Sequence, residues 1–284
     1  MSLISTGDLL ARVSAGDPDL RICDVRWYLG KPDGGRAAYG AGHIPGAIHL
    51  DLNRDLSAPE GPGRHPLPDP AAFAHRMGGL GIGSHHTVVC YDDAGGTIAA
   101  RLWWMLDNLG HPQVAVLDGG LQAWVDAGGE VTTEEPRYPP ADLRLAVRWS
   151  RVIDRAALKD RLGRVTLLDA RSPERYRGEV EPVDPVPGHI PSAISVPTGG
   201  NLGPDSRFLP PAALHRRFVP FAADPDDLVT SCGSGITACH NSLAMRVAGL
   251  PDPILYAGSF SDWSRAGEPI AAGAEPGHAP AKAT

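Results

Sequence analysis

The chain has 284 residues, a net charge of −7 and 42% hydrophobic residues. At roughly 150 residues per domain that length suits about two domains, and hydrophobic residues spread along the chain exclude general disorder despite 34 Gly and 28 Pro. No Lys/Arg run stands out, so no nucleic-acid or anionic-membrane surface is expected, and small molecules are the expected partner class. The N-terminus lacks the pattern of a signal peptide, and no stretch reaches ~18 apolar residues. The expectation is a soluble, cytoplasmic protein. Cys23, Cys90, Cys232 and Cys239 are too few and too irregularly spaced for a disulfide framework, and no C-x-x-C pair suggests zinc. Free thiols and no metal or organic cofactor are expected.

In chain order, LRICDVR (20–26) reads as a short strand, followed by a Gly/Pro-rich loop and a second apolar run, AIHLDL (47–52). A helical stretch, DPAAFAHRMGGLG (69–81), leads to the strand TVVCYDD (87–93), the helix TIAARLWWMLDNLG (97–110), the strand VAVLDGG (114–120) and a short segment with Trp124. The Pro-rich stretch TTEEPRYPPADLRLA (132–146) reads as a linker. The same order then returns: VTLLDAR, AISVP, PPAALHRRFVPF, DLVTSCGS, TACHNSLAMRVAGL and PILYAGS. Asp24-Val25-Arg26 recurs as Asp169-Ala170-Arg171, and Gly42-His43-Ile44-Pro45-Gly46-Ala47-Ile48 recurs from Gly188 to Ile194 with six of seven residues identical. Gly119-x4-Trp124 recurs as Gly258-x4-Trp263. Blocks in one order, displaced by nearly constant spacing, are the mark of a duplicated domain. Short apolar strands alternating with helices predict parallel sheets covered on both faces. The expected fold class is α/β: two tandem three-layer α/β/α domains, at 1–132 and 148–270, with a linker at 133–147 and a frayed tail at 271–284.

Chemistry is best sought where duplicated copies differ. In the second copy the strand 228–231 runs into Cys232-Gly233-Ser234-Gly235-Ile236-Thr237 and then a helix; in the first, Asp92 stands opposite Cys232. A cysteine between a parallel strand and a helix N-terminus sits where backbone N–H groups converge, which stabilises a thiolate or the terminal sulfur of a persulfide. Gly233 and Gly235 suit such a loop because closely packed amides need clearance that side chains obstruct. The competing reading is a buried strand-end cysteine beside an ordinary turn. Cys90 and Cys23 read as core; Cys239 reads as a small buried residue, with a redox partner as the alternative.

Two D-x-R … G-H-I-P-x-A units, with an acidic residue at the first loop and C-G-S-G-I-T-A at the second, resemble the tandem-domain rhodanese superfamily over residues ~20 to ~270. The resemblance implies that Cys232 takes up sulfane sulfur as a persulfide and passes it to cyanide, a thiol or a thioredoxin-like acceptor, in a site facing an interdomain cleft. The uncharged Gly233 and Ser234 match the loop of the superfamily's 3-mercaptopyruvate sulfurtransferases rather than the cationic C-R-K-G-V-T loop of thiosulfate enzymes, and a dianion needs more positive charge than amides supply. Thiosulfate remains the alternative donor. The resemblance assigns Arg175 to substrate binding with the loop residues Gly233, Gly235, Ile236 and Thr237. It also implies a proton relay of Ser234, His43 and Asp33, although His189 holds the same motif position as His43 and so leaves a loop-ordering role equally open. The superfamily's second arginine, in an E-P-R stretch, is replaced by Val183; Arg177 and Arg36 are the candidates to compensate. A Cys-dependent phosphatase would need an arginine six or seven positions after the cysteine, where this chain has Ala238 and Cys239. A non-catalytic sulfur-binding module would need Cys232 to be inert.

Overall fold

The computed structural model describes residues 2–279. It divides into two compact units. Unit 1 comprises the described chain up to Pro59, Pro68–Ser150 and Leu202–Phe208; unit 2 comprises Glu60–Leu67, Arg151–Asn201 and the described chain from Leu209. Each unit thus takes in one short segment from the other repeat.

Unit 1 runs β1 (Leu3–Ile4), α1 (Thr6–Ser14), β2 (Leu20–Asp24), α2 (Gly34–Ala41), β3 (Ala47–His49), α3 (Leu52–Asp55), α4 (Pro70–Gly79), β4 (Thr87–Tyr91), α5 (Ala99–Asn108), β5 (Val114–Leu117) and α6 (Gly120–Asp126). Unit 2 runs β6 (Val152–Ile153), α7 (Arg155–Arg161), β7 (Thr166–Asp169), α8 (Pro173–Arg177), β8 (Ala193–Ser195), α9 (Pro211–Phe218), β9 (Leu228–Ser231), α10 (Ala238–Val247), β10 (Ile254–Tyr256) and α11 (Ser259–Arg265). The sheets have matching orders, β1-β5-β4-β2-β3 and β6-β10-β9-β7-β8, and every pairing is parallel. This is the expected α/β class. Two-residue edge strands and the short helices α2 and α8 add to the elements read from sequence. They carry too few residues, or too many glycines, for a visible hydrophobic period.

β2 is buried along its whole length and β4 at four of its five residues, as strands covered on both faces require. Trp124 and Trp263 sit in the cores of units 1 and 2 respectively. Side chains of Ser5, Asp69 and Asp154 accept N–H bonds at the starts of α1, α4 and α7, each worth about 1 kcal/mol. Both D-x-R motifs brace their unit in the same way. Arg26 grips Asp24 and donates to the Gly42 carbonyl, and Arg171 grips Asp169 and donates to the Gly188 carbonyl.

Two expectations need correction. The stretch read as a linker is bonded to unit 1: Ala141 N–H donates to Gly78, Ser84 N–H to Asp142 and Ala146 N–H to Leu109, while the Tyr138 hydroxyl donates to Gly46. The stretch read as a frayed tail is bonded to unit 2 in its described part, with Ala271 and His189 exchanging amide bonds and Ser192 donating to Pro276. Residues 280–284 of that expectation lie outside the described chain. In both stretches irregular, Pro-containing backbone finds partners on an existing scaffold, which composition does not reveal.

Candidate active site

β9 delivers the chain to Cys232, which is 2% exposed. Its amide donates to Ser259 Oγ at 3.1 Å, its carbonyl accepts from Phe260 N–H at 3.0 Å, and its Sγ accepts from Gly235 N–H at 3.1 Å. Ser259 Oγ donates in turn to the Tyr256 carbonyl. Ser259 holds φ +52, a left-handed conformation costing on the order of 1–3 kcal/mol in a non-glycine residue and characteristic of functional sites. Gly235 has φ +76, and a methyl group there would lie 2.3 Å from the Ala257 carbonyl oxygen; only glycine fits. Ile236 is buried, and Thr237 caps α10 with no side-chain hydrogen bond. Among the described residues the amides of Ile236 and Ala238 meet no protein acceptor. The loop therefore presents amide donors beside the sulfur, as an anion site requires.

The other cysteines differ. Burial pushes the Cys23 and Cys90 thiols up, which disfavours thiolate, and Cys239 Sγ donates to the Gly235 carbonyl.

The expected relay is only partly assembled. Ser234 Oγ lies 2.8 Å from Nδ1 of His65, both residues being buried. His43 is not placed as expected: in unit 1 its Nδ1 faces the Tyr39 carbonyl and its Nε2 the Glu134 carbonyl, and its ring stacks on Tyr39 at 3.7 Å. His189 repeats this, stacked on Tyr176 at 3.8 Å with Nδ1 on the Tyr176 carbonyl. Both motif histidines order their loops. Asp33 is exposed at the start of α2, with no capping bond from its side chain.

Two guanidinium groups converge on Gly233. A methyl group there would lie 2.9 Å from Arg64 Nη2 and 3.4 Å from Arg175 Nη1. Arg175 sets its Nε and Nη2 on Glu181 and reaches Asp184 at 3.3 Å. Arg64 pairs through Nη1 with the same Asp184, and its Nε is buried without a hydrogen-bond partner among the described residues. An unsatisfied buried donor costs about 1–3 kcal/mol. Burial pushes the Glu181 carboxyl up, but the Arg175 hydrogen bond and the amides of Asp184 and Val183 outweigh it and hold it below its ordinary value. Arg36 is instead paired with Glu135 in unit 1, and Arg177 is paired with Glu179 on the surface of unit 2. Neither stands in for the arginine missing at Val183.

Arg64 and His65 were not singled out from sequence, yet a signal exists. Gly63-Arg64-His65 parallels Ser206-Arg207-Phe208, and Gly63 and Ser206 both have positive φ. This further repeat block differs at the aromatic position, His65 against Phe208. Gly63 is needed there, since a methyl group would meet the Gly258 carbonyl oxygen at 2.5 Å, and Arg64 N–H anchors on Ser261 Oγ.

Asp19, His85 and His86 form the one cluster of metal-ligand type found among the described residues. His86 Nδ1 accepts from Gly83 N–H, and burial draws its pKa down to about 4. The neutral ring then carries its proton on Nε2, which leaves it unsuited to bind a cation.

A rhodanese-like domain model matches residues 5–127 and 154–266, and the chain belongs to the rhodanese family. It is 48% identical over 269 residues to a Pseudomonas aeruginosa protein named "Probable 3-mercaptopyruvate sulfurtransferase", covering 92% of this chain and 94% of that one. A Mycobacterium tuberculosis relative with a provisional thiosulfate sulfurtransferase name is 43% identical over 272 residues, covering 92% and 93%. Among solved structures, a 3-mercaptopyruvate sulfurtransferase from Leishmania major superposes with a TM-score of 0.82 at 31% identity, covering 93% of this chain and 74% of that one.

Proposed function

We propose that this sulfurtransferase moves sulfane sulfur from 3-mercaptopyruvate to a thiophilic acceptor through a persulfide on Cys232. The observation that carries this reading is the Cys232 loop, which has amide donors beside Sγ, no charged side chain of its own, and a Ser234–His65 pair two residues from the sulfur. The Cys232 thiolate attacks the donor sulfur, and the carbon–sulfur bond breaks with its electron pair passing to the departing pyruvate enolate. The loop amides stabilise the terminal sulfur left on Cys232. Ser234 Oγ–H, backed by His65, supplies the proton that converts the enolate to pyruvate. Cyanide or a thiolate then attacks the outer sulfur and releases the Cys232 thiolate. Arg175 lies close enough to Gly233 to receive the donor's carboxylate.

Thiosulfate is the second reading, because Arg64 and Arg175 restore beside the loop the positive charge that its side chains lack. The cysteines of the chain are free and no described helix is long and apolar enough to cross a membrane, in keeping with work in a reducing cytoplasm on a small donor and a thiol or thioredoxin-like acceptor.

The test is a comparison of kcat/KM for the two donors with cyanide as common acceptor, alongside intact-mass analysis after mixing with each. The expected result is at least about tenfold preference for mercaptopyruvate and a gain of one sulfur on Cys232. The opposite preference would establish thiosulfate as donor. Absence of transfer and of any adduct with either would leave a sulfur-binding module.

A further inference from the structure

Resting on mercaptopyruvate as donor, we infer that Arg64 is the residue that grips the donor's carboxylate, with Arg175 in support. The two arginines differ in which edge they have free. Nε and Nη2 lie on one edge of the planar guanidinium and form the fork that matches a carboxylate. In Arg175 this edge is occupied by Glu181, and the nitrogen it sets nearest to Gly233 is Nη1, on the other edge. In Arg64 the pairing with Asp184 uses Nη1. Its Nε is buried with no partner among the described residues, and Nη2 stands closest to Gly233. A buried, half-unsatisfied donor fork next to the reactive cysteine is a receptor waiting for an acceptor.

The surroundings hold the fork in place. Asp184 is shared by both arginines, the Arg64 backbone is fixed to Ser261, and Gly63 lets the segment approach the Gly258 carbonyl. Asp184 directly follows Val183, so the segment that lacks the superfamily's arginine supplies the carboxylate that positions its replacement. Glycine at 233 leaves the fork its room, since a methyl group there would lie 2.9 Å from Arg64 Nη2.

Arg64→Gln and Arg64→Lys test this. Loss of a bidentate charged contact should raise KM for mercaptopyruvate about 10- to 100-fold, with kcat within about threefold of wild type. Lysine, a point charge without the fork, should recover only part of the loss. Loading of Cys232 from saturating inorganic polysulfide, which has no carboxylate, is followed by intact mass and should still reach one added sulfur in both variants. That also shows that the loop is intact. A mercaptopyruvate KM within twofold of wild type in Arg64→Gln overturns the inference, as does a rise confined to thiosulfate. If the wild type transfers no sulfur from mercaptopyruvate, the donor reading falls and this inference falls with it.

Discussion

Asp92 and Cys232 close equivalent strands in the two units and are held by equivalent bonds: Leu121 N–H donates to the Asp92 carbonyl as Phe260 N–H does to that of Cys232. Their side chains meet different fates. The Asp92 carboxylate is fully buried and accepts the amides of Ala94, Gly96, Ile98 and Ala99 at 2.8 Å each. Burial still outweighs those bonds and pushes its carboxyl above the ordinary value. In unit 1 the protein supplies its own anion and fills the loop. In unit 2 the smaller Cys232 Sγ accepts the single amide of Gly235 and leaves neighbouring donors for a ligand. The first loop shows that this backbone can aim four amides at one side chain, whereas in the second only the Gly235 amide is on Sγ.

The sharpest way to break this comparison is to exchange its central residues. Cys232→Ser should reduce sulfur transfer more than about 1,000-fold in a cyanide assay, while Asp92→Asn keeps at least about a tenth of it; equal losses would end the asymmetry. Next in size is the histidine contrast. Ser234→Ala and His65→Asn should each lower kcat with mercaptopyruvate roughly 100-fold and leave thiosulfate turnover within about threefold, because thiosulfate releases no enolate to protonate. His43→Asn should leave turnover per folded molecule nearly unchanged and lower stability in urea by about 1–3 kcal/mol. A turnover loss in His43→Asn matching that in His65→Asn would restore His43 to the relay.

Smaller effects separate the two loops' glycines. Gly235→Ala places a methyl group against backbone, whereas the nearest atom at Gly95 is the Leu202 side chain, which can give way. Urea denaturation should show a loss above about 2 kcal/mol for Gly235→Ala and nearer 1 kcal/mol for Gly95→Ala, and equal losses would deny the second loop its tighter backbone packing. The smallest effect concerns Glu181, whose carboxyl is held below its ordinary value of 4.5. A depressed folded pKa stabilises above the unfolded value and loses that contribution as pH falls through the folded one. The stability gap between wild type and Glu181→Gln should therefore be full at pH 7 and shrink at pH 3; a constant gap would separate Glu181 from the Arg175 pairing.

Much of the molecule was legible in the residues. The duplication, the α/β class and the core strands follow from short apolar runs in a repeated order, because alternation of buried strand and helix is written locally. The position of Cys232 followed from comparing copies, and His65 stands against Phe208 in the same way once Gly63-Arg64-His65 is set beside Ser206-Arg207-Phe208. His43 misled because a family motif was read for chemistry while its duplicate, His189, was already making the same Tyr stack and carbonyl contact in the other unit.

Local order along the chain sufficed for the nucleophile, its loop and the glycines that loop demands, since strand, turn and helix N-terminus are consecutive and their geometry is set by neighbours in sequence. It did not suffice for the partners of that nucleophile. Arg64 and His65 enter unit 2 through Glu60–Leu67, far from Cys232 in sequence, and Asp184 orients Arg64 from a third segment. Which donors face a sulfur, and which guanidinium edge is left free, depends on burial and on competition among Glu181, Asp184 and the arginines. Those are properties of the packed chain, and no spacing along the sequence encodes them.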